Sequence, residues 1–426
     1  MKGQAIRYQM NGIAEAPGKT WFWELAAGVV DAGRCVQCGT CVAVCPSGSI
    51  GVSAVSALPE LVKMCTGCSL CWDFCPRGGL RAEALWPPST PPSEPASEPA
   101  PEAKTPLCPS FVPGVPRITG GPPADGLGAV LGSYAARAST DAAVGQDGSV
   151  VTAVLLAALA TGEIDGALVA VPSDNPDEPL RGIARVATTA GEIARAGGSF
   201  YNQTMALAAL DLSGLDLGDQ PRLAVVGTPC EIEGIRAMQA RQWPTGAHRV
   251  DAVVLTIALL CTKSFDYRTL VLQLLRDERG VDLERVGKVD VVHGRFVVEY
   301  VDGQVAVDEP IKLFHEAALK GCDECADFVG RAADLSVGSV GSLPGWSSVL
   351  VRTEEGRRAL ERARPRLDLR DLDDPRALER LDRFDKRAAV EALRRPFDPD
   401  GPLFIDFADH VAAYEGSDRA VVVSEQ

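Results

Sequence analysis

The sequence predicts an α/β domain preceded by a small α+β module, with a proline-rich linker between them. Three observations predict this. Eight of the thirteen cysteines fall in two tight groups before residue 84. From Trp86 to about Pro123 the chain is dominated by Pro, Ser, Ala and Glu, as in PPSTPPSEPASEPAPE, which buries no core and reads as an extended, partly stiff tether. From about Asp125 onward, short β-rich runs alternate with helical patterns, the signature of an α/β domain. The boundaries follow as 1–85 for the module, 86–124 for the linker, 125–355 for the α/β domain and 356–426 for a charged helical flank.

Within the α/β domain each element has its own warrant. Leu127 to Ala136 reads as a strand. Val150 to Ala160 is an apolar helix with the capping-type residues Asp147 and Ser149 ahead of it. Ala167 to Val171 is a strand, and Thr189 to Arg195 a short capped helix. Arg222 to Val226 is a strand that breaks at Gly227-Thr228-Pro229, before a helix from about Glu231 to Ala240. Val250 to Leu260 reads as a buried strand and Phe265 to Arg276 as a helix. Val286–Val292, Arg295–Val301 and Gln304–Val307 form a β-meander, punctuated by His293-Gly294 and Asp302-Gly303. The last sixty residues alternate Arg with Asp and Glu, as a solvated helical flank does.

Composition narrows the function. The 426 residues are 46% apolar and carry a net charge of −15, so phosphate backbones repel the chain and nucleic-acid binding is disfavoured. Met1 to Leu25 holds Lys2, Arg7, Glu15, Lys19 and Glu24, with no continuous apolar core of the signal-peptide kind. The longest apolar run, Val250 to Cys261, contains Asp251 and is too short to span a bilayer. A cytoplasmic location is expected, with any membrane association peripheral and through a complex. In that reducing setting, cysteines bind metal or do redox chemistry more often than they form disulfides.

The sharpest signal is Cys35-x-x-Cys38-x-x-Cys41-x-x-x-Cys45-Pro46, repeated as Cys65-x-x-Cys68-x-x-Cys71-x-x-x-Cys75-Pro76. This is the spacing of bacterial two-cluster ferredoxins. Three closely spaced thiolates grip one 4Fe–4S cubane, and the fourth cysteine reaches across to the other. Cys35, Cys38, Cys41 and Cys75 should therefore hold one cluster, and Cys65, Cys68, Cys71 and Cys45 the second. Zinc sites use wider-spaced pairs and four ligands, not two interlocked sets.

Four more cysteines lie in the α/β domain: Cys230 at a strand-to-helix junction, Cys261 at the end of an apolar strand, and the turn Cys322-x-x-Cys325. Spacing leaves three readings open: a third cubane, buried small hydrophobes, or a disulfide or zinc site at the C-x-x-C turn. Cys108 sits in the linker and reads as a free thiol. The four histidines show no ligand spacing and read as structural.

From about Gly126 to Ala420 the chain resembles the beta subunits of coenzyme F420 hydrogenases and dehydrogenases. The resemblance rests on ordered segments: Gly145 to Ala153, Gly162 to Ala167, Gly197 to Tyr201, Val226 to Cys230, Leu260 to Phe265, Cys322 to Phe328, Gly345 to Val349 and Arg352-Thr353. The ferredoxin module fused in front resembles input subunits of F420-dependent dehydrogenases. This resemblance implies FAD in the α/β domain and a cluster held by Cys230, Cys261, Cys322 and Cys325. It departs from the family at Ser149, where a second glycine is usual.

The FAD pyrophosphate calls for backbone N–H groups at a helix N-terminus. Gly148, Ser149, Val151 and Thr152 are the first candidates, with Gly198-Ser199 and Gly227-Thr228 as further loops and Trp346-Ser347 from the resembling segments. No Gly-x-Gly-x-x-Gly follows a strand, which disfavours a nicotinamide dinucleotide site. The anionic tail of coenzyme F420 needs local positive charge. Lys263 leads, ahead of Lys312, Arg181, Arg185 and Arg352. No side chain is marked as a general acid or base, and hydride transfer needs none. The expected function is electron transfer between coenzyme F420 and a partner redox subunit through FAD and three 4Fe–4S clusters. The alternatives are a relay adaptor without its own F420 site and a ferredoxin-dependent reductase of an organic substrate.

Overall fold

The computed structural model of the chain describes residues 21–68, 70–78, 127–139, 147–212, 214–240 and 248–393. The linker, Cys108 and the first residues of the Gly145 segment lie outside them. The N-terminal module is built on a hairpin, β1 (Ile50–Val52) against β2 (Pro59–Leu61), and on single helical turns at Thr40–Ala43 and Leu70–Asp73. Each of those turns holds the third cysteine of its motif.

The larger domain strings together β3 (Gly132–Ala138), β4 (Gly166–Pro172), β5 (Gly182–Ala187), β6 (Leu223–Gly227), β7 (Val253–Leu259), β8 (Val286–Val292), β9 (Arg295–Tyr300), β10 (Val305–Pro310), β11 (Leu335–Gly338), β12 (Ser347–Val351) and β13 (Leu367–Arg370). Eight of these form one mixed sheet in the order β13-β3-β12-β11-β7-β6-β4-β5. Its centre, β11-β7-β6-β4, is parallel, as buried α/β strands of continuous Val, Ile, Leu and Ala are, and its flanks are antiparallel. β8, β9 and β10 form the separate antiparallel meander that the turn signals predict.

The helices Val150–Ala160 and Glu354–Ala363 contribute Val154, Leu155, Ala359 and Leu360 to the core on one face of the sheet. The core on the other face is shared between domains. Leu25, Val29, Val44, Ile50, Leu70, Trp72 and Phe74 of the module pack in one cluster with Leu168, Leu207, Leu223, Val225, Ile232 and Ile235 of the domain. Each such fully buried side chain stabilises the assembly by about 1.5–3 kcal/mol. The module is therefore built into the domain's core and does not hang from it.

Several elements differ from expectation. The first strand starts at Gly132, five residues later than read, and runs to Ala138. The Val250 run splits into a helical turn, His248–Asp251, and β7, because Asp251 and Ala252 break the strand's alternation. Arg268–Glu278 is wound as a π-helix. Ser149 does not cap the Val150 helix: its backbone is left-handed (φ 51°) and its side chain makes no cap hydrogen bond. The Thr189 helix does carry a capping box, with Glu192 reaching back to the Thr189 N–H. The charged C-terminal flank is not wholly helical. It supplies β13, an edge strand paired with β3, before the Pro375–Leu393 helix.

Candidate functional site

Parallel strands gather ligand-bearing loops at their carboxyl ends. Cys230 follows β6 and Cys261 follows β7, which are neighbours in the sheet. Cys261 lies in the field of Cys322 and Cys325, and Cys230 and Cys322 each lie in that of Cys325, so the four domain cysteines form one group. In the module, a small cavity is walled by Cys35, Cys38, Cys41 and Cys75, together with Leu25, Val29 and Arg77. That set includes the last cysteine of the second motif. Cys68 instead senses Cys45 and Cys65. All twelve described cysteines are free thiols, Cys322 and Cys325 included.

Burial dominates the chemistry of these thiols. It pushes Cys35, Cys38 and Cys75 up to about 12 and Cys322 to about 11, and lifts Cys41, Cys230 and Cys261 well above the ordinary thiol range. Thiols must lose their protons to ligate a metal, so cluster insertion at such buried neutral thiols would release protons. Donors already aim at several sulfurs: the Gln37 N–H at Cys35 (3.4 Å), the Ser49 N–H at Cys45 (3.2 Å) and the Gly67 N–H at Cys65 (3.4 Å). The Thr40 and Thr228 hydroxyls lie 3.2 Å from Cys38 and Cys230. Such contacts stabilise negative charge on sulfur and tune cluster potentials. Among the described residues no three His, Cys, Asp or Glu side chains close on a point as a single-ion site. A cubane is a larger body than one ion, and its ligands ring it at a distance.

The inner ferredoxin set and the domain set face each other. Cys35 senses Cys322, and Cys230 senses Cys38. The contact is close at the backbone. Gly39 holds φ 81°, and a Cβ there would sit 2.5 Å from the Ala208 nitrogen. A Cβ on Gly321 would sit 2.0 Å from the Arg34 carbonyl oxygen. Arg34 donates to both Glu324 carboxylate oxygens (2.7 and 2.8 Å), to the Gly28 carbonyl and to the Arg77 carbonyl. No local pattern signals the Arg34–Glu324 pair, since its members lie 290 positions apart.

The candidate flavin residues divide into separate places. Gly148 and Ser347 meet, the Gly148 N–H donating to the Ser347 hydroxyl at 3.1 Å, and a Cβ on Gly148 would strike the Ala136 carbonyl. Beside them, the guanidinium groups of Arg137 and Arg370 stack on the Trp346 ring at 4.5 and 4.1 Å, two cations that the sequence reading missed. With Ser149 not capping it, the N-terminus of the Val150 helix carries amides without a side-chain acceptor, the fit an anionic pyrophosphate needs. Thr152 is buried and Val151 packs toward the core, which leaves their backbones to act.

Gly198 and Ser199 line a second cavity of about 200 Å³, with Tyr201, Leu270, Lys288 and Phe296. That volume is below the roughly 300 Å³ at which whole-ligand pockets begin. Asp147 senses Asp290 and Lys288, which ties this cavity to the Val150 helix N-terminus. Tyr201 donates to Asp290 and accepts from the Val291 N–H.

At Gly227-Thr228 the donors are taken. The Glu231 carboxylate accepts from the Thr228 N–H (2.8 Å), the Thr228 hydroxyl, the Gln203 amide and the Ala206 N–H. Burial raises that carboxyl to about 7 against these bonds. The pair thus shapes the turn that presents Cys230. Lys263 forms an ion pair with Asp323 at 2.6 Å, inside the Cys322–Cys325 loop. Arg352 is buried and spends its donors on Ser336 and on the carbonyls of Leu127, Ala129 and Val329, so it is a framework residue. Arg181 pairs with Glu178 and Arg185 with Asp174. Lys312 is exposed.

Comparison with known proteins follows the same division. Residues 133–211 and 220–375 match the family models for the N-terminal and C-terminal parts of the coenzyme F420 hydrogenase/dehydrogenase beta subunit. Residues 34–80 match a 4Fe-4S dicluster domain. The chain is 34% identical to the beta subunit of the coenzyme F420 hydrogenase of Methanosarcina barkeri, over 50% of this chain and 70% of that one. It is 26% identical to an F(420)H(2) dehydrogenase subunit of Methanosarcina mazei, over 82% and 87%. A chain of the F420-reducing NiFe hydrogenase complex from Methanosarcina barkeri superposes with a TM-score of 0.57 and 28% identity, over 63% of this chain and 92% of that one.

Proposed function

Since the chain belongs to the family of coenzyme F420 hydrogenase/dehydrogenase beta subunits, we propose that it carries electrons between coenzyme F420 and a partner redox subunit, through FAD and three 4Fe–4S clusters. Bound flavin would supply the exchange between the paired electrons of a hydride and the single electrons that clusters accept. Four groups of residues do the rest. The Val150 helix amides would hold the pyrophosphate, on a turn set by the Gly148–Ser347 contact. The Gly198 cavity and Lys288 would receive a neighbouring limb. Cys230, Cys261, Cys322 and Cys325 would hold the domain cluster, and the two crossed ferredoxin sets the others. Thr228, its N–H and hydroxyl both donating to Glu231, fixes the turn that presents Cys230.

One observation carries the reading: the domain cysteines adjoin the inner ferredoxin set, Cys322 to Cys35 and Cys230 to Cys38, which makes a short relay from the domain to the exposed Cys68 side. The test is anaerobic reconstitution with assays of iron, sulfide and flavin, followed by the deazaflavin absorbance change. The reading requires about twelve irons and one FAD per chain, and bleaching of coenzyme F420 by the reduced protein or its reverse. About eight irons with no flavin would reduce the chain to a ferredoxin fused to a domain of other use.

A further inference from the structure

Between the inner ferredoxin set and the domain set lies a side chain that neither motif requires. Arg77, two residues past Cys75, is 3% exposed. Its Nε donates to the Gly321 carbonyl at 2.6 Å and one terminal nitrogen to the Pro76 carbonyl at 2.9 Å. It also walls the cavity ringed by Cys35, Cys38, Cys41 and Cys75. Gly321 immediately precedes Cys322, so one guanidinium spans both sets. The nearby Arg34 is matched by Glu324. Among the described residues, Arg77 bonds to no carboxylate, only to carbonyl oxygens. A buried guanidinium with no carboxylate bonded to it depends on other anions around it. The groups whose charge reaches it are Cys325, then Glu324, which is already paired with Arg34, then Cys230 and Cys322, so three of the four are domain cysteines.

We propose that Arg77 is the shared counter-charge of two clusters, the inner ferredoxin cluster and the domain cluster, and raises the reduction potential of both relative to the outer one. The inference rests on the reading of those cysteines as cluster ligands. Reducing a cubane adds one negative charge, and a fixed cation beside it in a water-poor site favours that state. Because the cation is shared, both clusters shift together, while the set at Cys45, Cys65, Cys68 and Cys71 does not. Arginine suits the role because it stays charged when buried, as lysine does less readily.

The test uses the full chain reconstituted anaerobically as wild type, Arg77→Gln and Arg77→Lys, with iron counts and an EPR-monitored redox titration. The outer signal is assigned through a Cys68→Ser variant. Arg77→Gln should weaken one-electron reduction of two clusters by about tenfold each, about 59 mV, and leave the outer signal in place. Arg77→Lys should stay within about threefold of wild type on the same scale. The proposal falls if Arg77→Gln loads fully and no potential moves, if all three move alike, or if Arg77→Lys shifts as far as Arg77→Gln. Should Arg77→Gln fail to load, full loading of Arg77→Lys upholds the requirement for charge, and failure of both overturns it. A wild-type count of about eight irons would instead refute the underlying assignment of three clusters.

Discussion

Removing Arg34 should unseat the ferredoxin module. Its guanidinium makes two bonds to Glu324 and two to carbonyls, and the paired side chains are only 12% and 10% exposed. Arg34→Met takes both charged donors from a nearly dry carboxylate, a change that costs about 3–5 kcal/mol. Replacing both partners, as Arg34→Met with Glu324→Leu, leaves no buried charge wanting a donor, and should recover at least half of that loss. The assay is urea unfolding of the anaerobic holoprotein, with limited proteolysis to see whether the module is released first. Because the pair is buried, added salt should change the midpoint little. Two results would refute the reasoning: an Arg34→Met stability within about 1 kcal/mol of wild type, or a double variant that loses as much as the two singles summed.

Three further outcomes are expected. Gly321→Ala would place a Cβ 2.0 Å from the Arg34 carbonyl oxygen, so it should release the module to protease even though Arg34 and Glu324 are intact. Gly148→Ala, whose Cβ would lie 2.4 Å from the Ala136 oxygen, should lose flavin while iron content holds, checked by flavin absorbance against an iron assay. Asp385 is raised to about 7, mainly by burial, partly offset by Lys263. A carboxyl raised in the fold binds its proton more tightly there, so its contribution is full below about pH 4 and is lost as pH rises through 7. Asp385→Asn should accordingly be more stable than wild type at pH 8, by at most about 4 kcal/mol, with the gap closing toward pH 4 in paired thermal melts.

What the sequence made legible was set by locality. A cubane grips three cysteines of one short loop, so Cys35, Cys38 and Cys41 announce themselves by spacing, and so does the meander by its two turns. Cys230, Cys261 and Cys322 come from loops that only the sheet order brings together, and spacing left them ambiguous. β5, β11, β12 and β13 were missed; Leu335–Gly338 and Leu367–Arg370, four residues each, carry too few for a pattern. Arg34, Arg77 and Glu324 look like ordinary surface charges in sequence, and their burial is a property of the docked pair alone. Ser149 misled in the other direction: its residue type says cap, while its left-handed backbone leaves the helix end uncapped.

The core that runs from Phe74 and Trp72 into Ile232 and Val225 has a consequence for traffic. A carrier that rows between stations needs its cargo bay on a free arm, and here the bay is mortared into the wall. On the proposed reading, a redox partner comes to this protein and berths at a fixed quay. The quay on that reading is the face where Cys68 and Met64 are exposed and where Trp21, stacked on Trp23, lies against Gly67.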